Sequence, residues 1–239
     1  NSEGDKLERA RGVIELMIEE DLKDRKLLDY GCGEGHVAYL ASDYNPLLSV
    51  GYDIKSHSKW DDFQKQNVAL TTNFDVVKEN GPYDVVLLFD VVDHMKDSEE
   101  VISALSKIRS VLRDDGRIYM RCHPWPSRHA THLYHTINKA YLHVVFTEEE
   151  LEQILPLMHL NARQDKCRKI TKPLATYSAE IKAAGLVELN KREITEKVEP
   201  FFQTPLIAER IKTHMEMESF PSFQLGLQFV DYVIGKHKS

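Results

Sequence analysis

The sequence predicts an α/β fold with a doubly wound, mostly parallel seven-stranded sheet. Three observations carry that prediction. Strand-like and helix-like segments alternate through the first half of the chain, as crossover connections between parallel strands require. Residues 83–89 (Tyr-Asp-Val-Val-Leu-Leu-Phe) form a near-continuous apolar run, which suits a central strand buried on both faces. Residues 26–35 (Lys-Leu-Leu-Asp-Tyr-Gly-Cys-Gly-Glu-Gly) end an apolar strand at a carboxylate, then place glycine at every second position ahead of a helix.

Taken in order, Leu7, Ala10, Val13, Ile14, Met17 and Ile18 have helical spacing, so a helix within residues 6–22 precedes the first strand. Strand one spans 26–31 and a helix at 36–43 leaves the glycine turn. Strand two spans 47–54 and strand three 67–71, with strand four at 83–89. Ser98 is placed to cap a helix whose apolar face is Val101, Ile102, Leu105, Ile108 and Leu112. Asp114-Asp115-Gly116 reads as a turn and 117–122 as strand five. Residues 123–172, rich in proline and histidine, break the alternation and predict a helical lid inserted after strand five. Within it, Thr147 followed by Glu148, Glu149 and Glu150 is a helix start. A helix at 174–185 stopped by Gly185, a strand at 187–194, a second insertion at 198–222 and a last strand at 227–235 complete the chain.

A length of 239 residues suits one large domain or two small ones. With 42% apolar and 29% charged residues the composition is that of an ordinary globular protein. The net charge of −7 supplies no global basic field for nucleic acid. No apolar run approaches the ~18 residues of a membrane span, and no basic-then-apolar leader opens the sequence, so a cytoplasmic location is expected. Cys32, Cys122 and Cys167 are too few and too scattered for a disulfide framework or a cysteine zinc site.

The glycine turn is the most informative segment. A glycine run between strand and helix seats a nucleotide-like cofactor against an open sheet. Dinucleotide sites use G-x-G-x-x-G and put a pyrophosphate on the helix N-terminus. Here the pattern is G-x-G-x-G with His36 next, and Asp29 lies two residues before Gly31. An acid there would repel a pyrophosphate and suits a cationic ligand. These residues resemble motif I of the class I S-adenosylmethionine-dependent methyltransferases. The resemblance covers about 24–122 well and residues after 173 loosely. It implies a fold that ends in a helix and an antiparallel hairpin, with 1–122 as the cofactor-binding half, 123–172 as the lid and 173–239 as the C-terminal part of a single domain.

On that resemblance S-adenosyl-L-methionine is held by Asp29, Gly31, Cys32, Gly33 and Gly35. Asp53, at the end of strand two and followed by Ile54, is placed to accept both ribose hydroxyls. Asn73 or Asp75, with Phe74, lies on the adenine side after strand three, and Asp90 lies beside the methionine end. Two other readings stand beside this one. A nicotinamide oxidoreductase is disfavoured by the glycine spacing. A non-catalytic S-adenosylmethionine-binding module for regulation or assembly is disfavoured by the polar residues after strand four.

Those residues read Asp90-Val-Val-Asp93-His94. A helical turn starting at Asp90 would bring Asp90, Asp93 and His94 to one face, where they could hold a divalent ion. With Arg-His-x-x-His at 128–132, the segment partly resembles the small-RNA terminal 2′-O-methyltransferases. That resemblance implies Mg2+ or Mn2+ on Asp90, Asp93 and His94, with His129 or His132 as the fourth ligand. Both acids here are Asp where the family has Glu. Without metal, His123 or His129 could act as general base. The expected acceptor is an oxygen or nitrogen of a small molecule or nucleotide, or a short RNA terminus. Trp125, Tyr134 and Tyr141 are candidates to shape its pocket, and the basic run at 163–172 suits an anionic acceptor. Oligomeric state is not legible.

Overall fold

The computed structural model describes residues 2–18, 20–128, 130–131, 133, 137, 139–160 and 167–237. Helix α1 (Glu3–Met17) opens on a capping box in which Ser2 and Asp5 bond each other's backbone N–H. Strands β1 (Lys26–Tyr30), β2 (Leu48–Tyr52), β3 (Val68–Thr71), β4 (Tyr83–Phe89) and β5 (Leu112–Cys122) alternate with α2 (His36–Ala41), α3 (Phe74–Asn80) and α4 (Ser98–Val111). Short helices α5 (Leu142–Val145) and α6 (Glu148–Leu157) follow. Then come α7 (Pro173–Ala183), β6 (Leu186–Thr195), α8 (Pro205–His214), α9 (Ser222–Gly226) and β7 (Leu227–Lys236).

The sheet order is β3-β2-β1-β4-β5-β7-β6. The first five strands pair in parallel, and β7 runs antiparallel to both β5 and β6. The direction of winding reverses between β1 and β4, where open α/β sheets bind ligands beyond the strand ends. Successive residues of the central strands face opposite sides. Leu28, Val86, Leu88, Ile118 and Met120 pack with α4 and α7, while Leu27, Val85, Leu87 and Tyr119 pack with α1 and α2. Burying each such aliphatic chain is worth ~1.5–3 kcal/mol. That burial holds α2, whose 6 residues are too short to be a stable helix alone.

The structure differs from the sequence expectations at several boundaries. α1 starts and ends earlier than 6–22, because Ser2 supplies a cap that the apolar spacing does not show. Asp97, not Ser98, caps α4 by accepting from the Glu100 N–H at 3.0 Å. Ser98 instead donates to Glu180. β5 begins at Leu112, and the expected turn at 114–116 lies inside it as a bulge. The pairing jumps from Tyr83–Leu112 to Val85–Arg117.

The two insertions pack on each other. Trp125, Tyr141, Val144 and Val145 from the first share one apolar cluster with Val198, Ile211, Met215 and Leu225 from the second region. The Arg210 Nε donates to the Val145 carbonyl at 2.6 Å, and Arg210 pairs with Glu150 and Arg128 with Glu199. Among the described residues no helix is long and apolar enough to cross a membrane.

Candidate active site

The glycine turn leaves β1 through a tight backbone path. The N–H groups of Gly31 and Cys32 both donate to the Tyr52 carbonyl, at 2.7 and 3.0 Å. Gly31 has φ +81°, and a Cβ there would lie 2.5 Å from Val91 Cγ2, so this glycine is needed for packing against the β4 exit. Gly33 has φ +51°, and a Cβ there would meet nothing within 4 Å. Its position is therefore open, as close approach of a ligand to backbone requires.

Asp53 lies one residue beyond β2. Its Oδ2 accepts from the Gly33 N–H at 2.9 Å and its Oδ1 from the Lys55 N–H at 3.1 Å. The next residue, Ile54, is 75% exposed, a large apolar side chain presented beside the turn. Asp29 is buried beneath the turn, and its Oδ2 has no hydrogen-bond partner. Burial pushes its carboxyl up to about 7. The Ala38 backbone N–H works in the other direction, and the Asp53 charge adds to the rise. Burial likewise raises the Cys32 thiol, helped by the charges of Asp29 and Asp53, so this cysteine is no thiolate nucleophile. Asn73 caps α3 by accepting from the Asp75 N–H at 2.9 Å. Phe74 sits edge-on to Tyr52 with ring centroids 5.5 Å apart.

The residues after β4 do not share a face. Asp90 takes a left-handed conformation with φ +56° instead of starting a helical turn, and the turn of 3-10 helix covers only Val92–His94. Asp90 turns toward the end of β5, where its Oδ1 is 2.6 Å from His123 Nδ1, and its Oδ2 accepts from Arg9 Nη2 at 3.2 Å. Asp93 points into the core. One oxygen accepts from the Tyr177 hydroxyl and the other from the His123 backbone N–H at 2.6 Å. Burial pushes Asp93 up to about 7 against those two hydrogen bonds. The Arg168 N–H donates to the Asp93 carbonyl at 2.8 Å, and the Arg168 side chain forms a buried pair with Glu180. His94 is exposed. Among the described residues no group of three or more His, Cys, Asp or Glu side chains could hold a metal ion. Asp93, with both oxygens bonded in the core, does not fit the metal set implied for Asp90, Asp93 and His94. The other two implied ligands, His129 and His132, lie outside the described residues, as does Tyr134.

His123 therefore gathers what the β4 exit offers. Burial pulls its imidazole down, but the Asp90 hydrogen bond and the charges of Asp90 and Asp93 outweigh this and leave it above its ordinary value. Arg9 and Tyr177, which complete this arrangement, carry no motif that could have singled them out. Trp60 also escapes the sequence reading. It sits in a short 3-10 turn (Ser58–Asp62), and its indole N–H donates to the Gly33 carbonyl at 2.8 Å.

A family model described as a methyltransferase domain matches residues 4–161. The chain belongs to that family. It is an enzyme of the class I S-adenosylmethionine-dependent type, and the sheet order above is the fold of that class. A search of curated proteins returned no match. Among solved structures, this methyltransferase is similar to the Burkholderia thailandensis 1,6-didemethyltoxoflavin-N1-methyltransferase bound to its substrate and S-adenosylhomocysteine. That likeness has a TM-score of 0.55 at 13% identity and covers 96% of this chain and 78% of the other. It is similar to the Synechocystis magnesium protoporphyrin IX methyltransferase with bound S-adenosylhomocysteine, with TM-score 0.54, 15% identity and coverage of 97% and 83%. A methyltransferase from Archaeoglobus fulgidus gives TM-score 0.53 at 17% identity, covering 99% and 95%. At these identities the likeness speaks for the fold of this methyltransferase.

Proposed function

We propose that this methyltransferase transfers a methyl group to an oxygen or nitrogen of a small-molecule acceptor, with His123 as the general base. The observation that carries the reading is the 2.6 Å contact between His123 Nδ1 and Asp90 Oδ1, because it lies where β4 and β5 end beside the glycine turn. Val91, the residue after Asp90, packs directly on Gly31. An imidazole that donates its Nδ1 proton to a carboxylate keeps its lone pair on Nε2 and is held in one orientation. Such a base can take the proton that a hydroxyl or ammonium acceptor must lose.

The chain's own residues fit the donor. Asp29 offers a buried carboxylate oxygen without a partner, which suits an ammonium group. Gly33 leaves room for close approach, Asp53 can accept ribose hydroxyls, and exposed Ile54 offers an apolar face to a base. Asn73 and Phe74 lie on the same side, after β3. When bound, S-adenosylmethionine supplies a methyl already activated by a positively charged sulfur. What remains for the protein is to align the acceptor and exclude water, a contribution of ~7–11 kcal/mol when alignment is good. The two insertions, which pack on each other, are the segments we assign to that task. The acceptors named for two of the similar proteins, 1,6-didemethyltoxoflavin and magnesium protoporphyrin IX, are small molecules. We extend that class, and no finer one, to this chain.

The test is S-adenosylhomocysteine release on incubation with S-adenosylmethionine and a panel of hydroxyl and amine compounds, nucleotides and short RNAs, with and without excess chelator. Turnover of small molecules that survives chelation and is lost in His123→Gln supports the reading. Turnover confined to RNA, dependence on Mg2+ or Mn2+, or full activity of His123→Gln each overturns a part of it.

A further inference from the structure

Residues 31–35 lie between β1 and α2, so neither a strand ladder nor a helix bonds the main-chain groups of Gly33. Both are held from the β2 side. The Gly33 N–H donates to Asp53 Oδ2 at 2.9 Å, and the Gly33 carbonyl accepts from Trp60 Nε1 at 2.8 Å. Trp60 also packs on the turn, since a Cβ on Gly35 would lie 3.5 Å from its Cδ1. The Trp60 turn is itself anchored on two sides. Phe63, just after it, is buried, stacks on Tyr39 of α2 at 4.4 Å and meets His36 edge-on at 5.0 Å. Lys59 reaches Asp62 at 2.9 Å and Glu3 of α1 at 3.4 Å. Glu3 in turn lies 3.1 Å from His36.

We propose that Trp60 is a positioning residue of the cofactor site. Its indole N–H fixes the Gly33 carbonyl, and this presets the open turn in the shape that receives the nucleoside end of the donor. An unbonded turn with three glycines would have many backbone conformations to lose on binding, and glycine loses more of that freedom than any other residue. Trp60 and Asp53 remove the freedom in advance, one on each polar group of Gly33. The inference rests on the reading that the glycine turn holds the donor.

The experiment uses S-adenosylhomocysteine as probe and calorimetry as readout, on the full chain and on Trp60→Phe and Asp53→Ala. Phenylalanine keeps most of the packing and deletes the N–H. Trp60→Phe is expected to bind about tenfold more weakly, as the loss of one hydrogen bond implies. Affinity within twofold of the parent overturns the proposal, whatever Asp53→Ala does. Loss in Trp60→Phe with no loss in Asp53→Ala supports the Trp60 role and sinks the ribose assignment to Asp53. A second measurement leaves Trp60 in place. The chain has 2 tryptophans, so Trp125→Phe makes Trp60 the sole indole emitter. Its emission should shift on titration and saturate at the calorimetric affinity, and emission that ignores bound S-adenosylhomocysteine overturns the proposal.

Discussion

Replacing Asp29 by asparagine separates what this buried carboxylate costs the fold from what it does for the donor. The side chain is 4% exposed, and burial lifts its pKa from 3.8 to about 7. The folded chain thus holds the Asp29 proton more tightly than the unfolded chain does. By linkage, the contribution of Asp29 to stability is fully present below the unfolded value of 3.8 and is lost as pH rises through about 7. At 1.36 kcal/mol per pKa unit the full loss is ~4 kcal/mol. Asparagine keeps the shape and the acceptor for the Ala38 N–H, and it has no proton to lose. The ligand-free variant is therefore expected to gain on the parent steadily between pH ~4 and ~7, by ~4 kcal/mol in all, and to keep that margin at higher pH. Asp93 is raised to about 7 by the same cause. It is present in both proteins and cancels in the difference. Urea unfolding at several pH values measures that difference. Calorimetry with S-adenosylhomocysteine measures the other half: the variant should bind at least tenfold more weakly, a factor worth about 1.4 kcal/mol. Parent binding should also tighten as pH rises through about 7 and the carboxylate ionises. Parallel stability curves would refute the burial argument, and equal affinities would refute the ammonium role.

Two further outcomes follow from the same geometry. In Asp90→Asn, burial acts on His123 without its main opponent, so the imidazole midpoint should fall in an NMR titration of its ring proton; an unmoved midpoint would break the Asp90–His123 pair. Because His123 is raised in the folded parent, the stability it contributes is full below the unfolded value near 6.5 and is lost as pH rises through the folded value, and Asp90→Asn should flatten that dependence. Alanine at Gly31 and at Gly33 should differ in kind. Both take a positive φ that costs roughly 1–2 kcal/mol, but only at Gly31 does the new methyl strike Val91. Gly31→Ala should therefore melt well below the parent. Gly33→Ala should fold with a modest loss and bind S-adenosylhomocysteine poorly. Equal melting temperatures for the two variants would contradict this contrast.

The class of fold and the kind of cofactor could be read in the chain because both are written in short-range spacing. A strand buried on both faces must be apolar throughout, as 83–89 is. A turn that leaves a strand on a positive-φ path carries glycine where Gly31 and Gly33 stand, and an acid that would repel a pyrophosphate stands at Asp29. The C-terminal hairpin, β6 with β7, was legible only through family resemblance. What the spacing could not carry was any contact between segments distant in sequence. The pairing of Asp90 with His123 spans 33 residues, and it depends on β4 and β5 being neighbours in the sheet. Asp90, in a left-handed backbone conformation, bonds the His123 ring, while the core claims Asp93 through Tyr177. Trp60 is an ordinary loop tryptophan until the sheet brings β2 beside β1 and its N–H meets the Gly33 carbonyl. The two insertions read as separate interruptions, and only their shared apolar cluster, Trp125 and Tyr141 with Ile211 and Met215, makes them one packed unit. Sequence periodicity is a property of single elements, whereas polar pairings and caps belong to the arrangement of elements. Burial and hydrogen-bond satisfaction across the whole fold decide the latter.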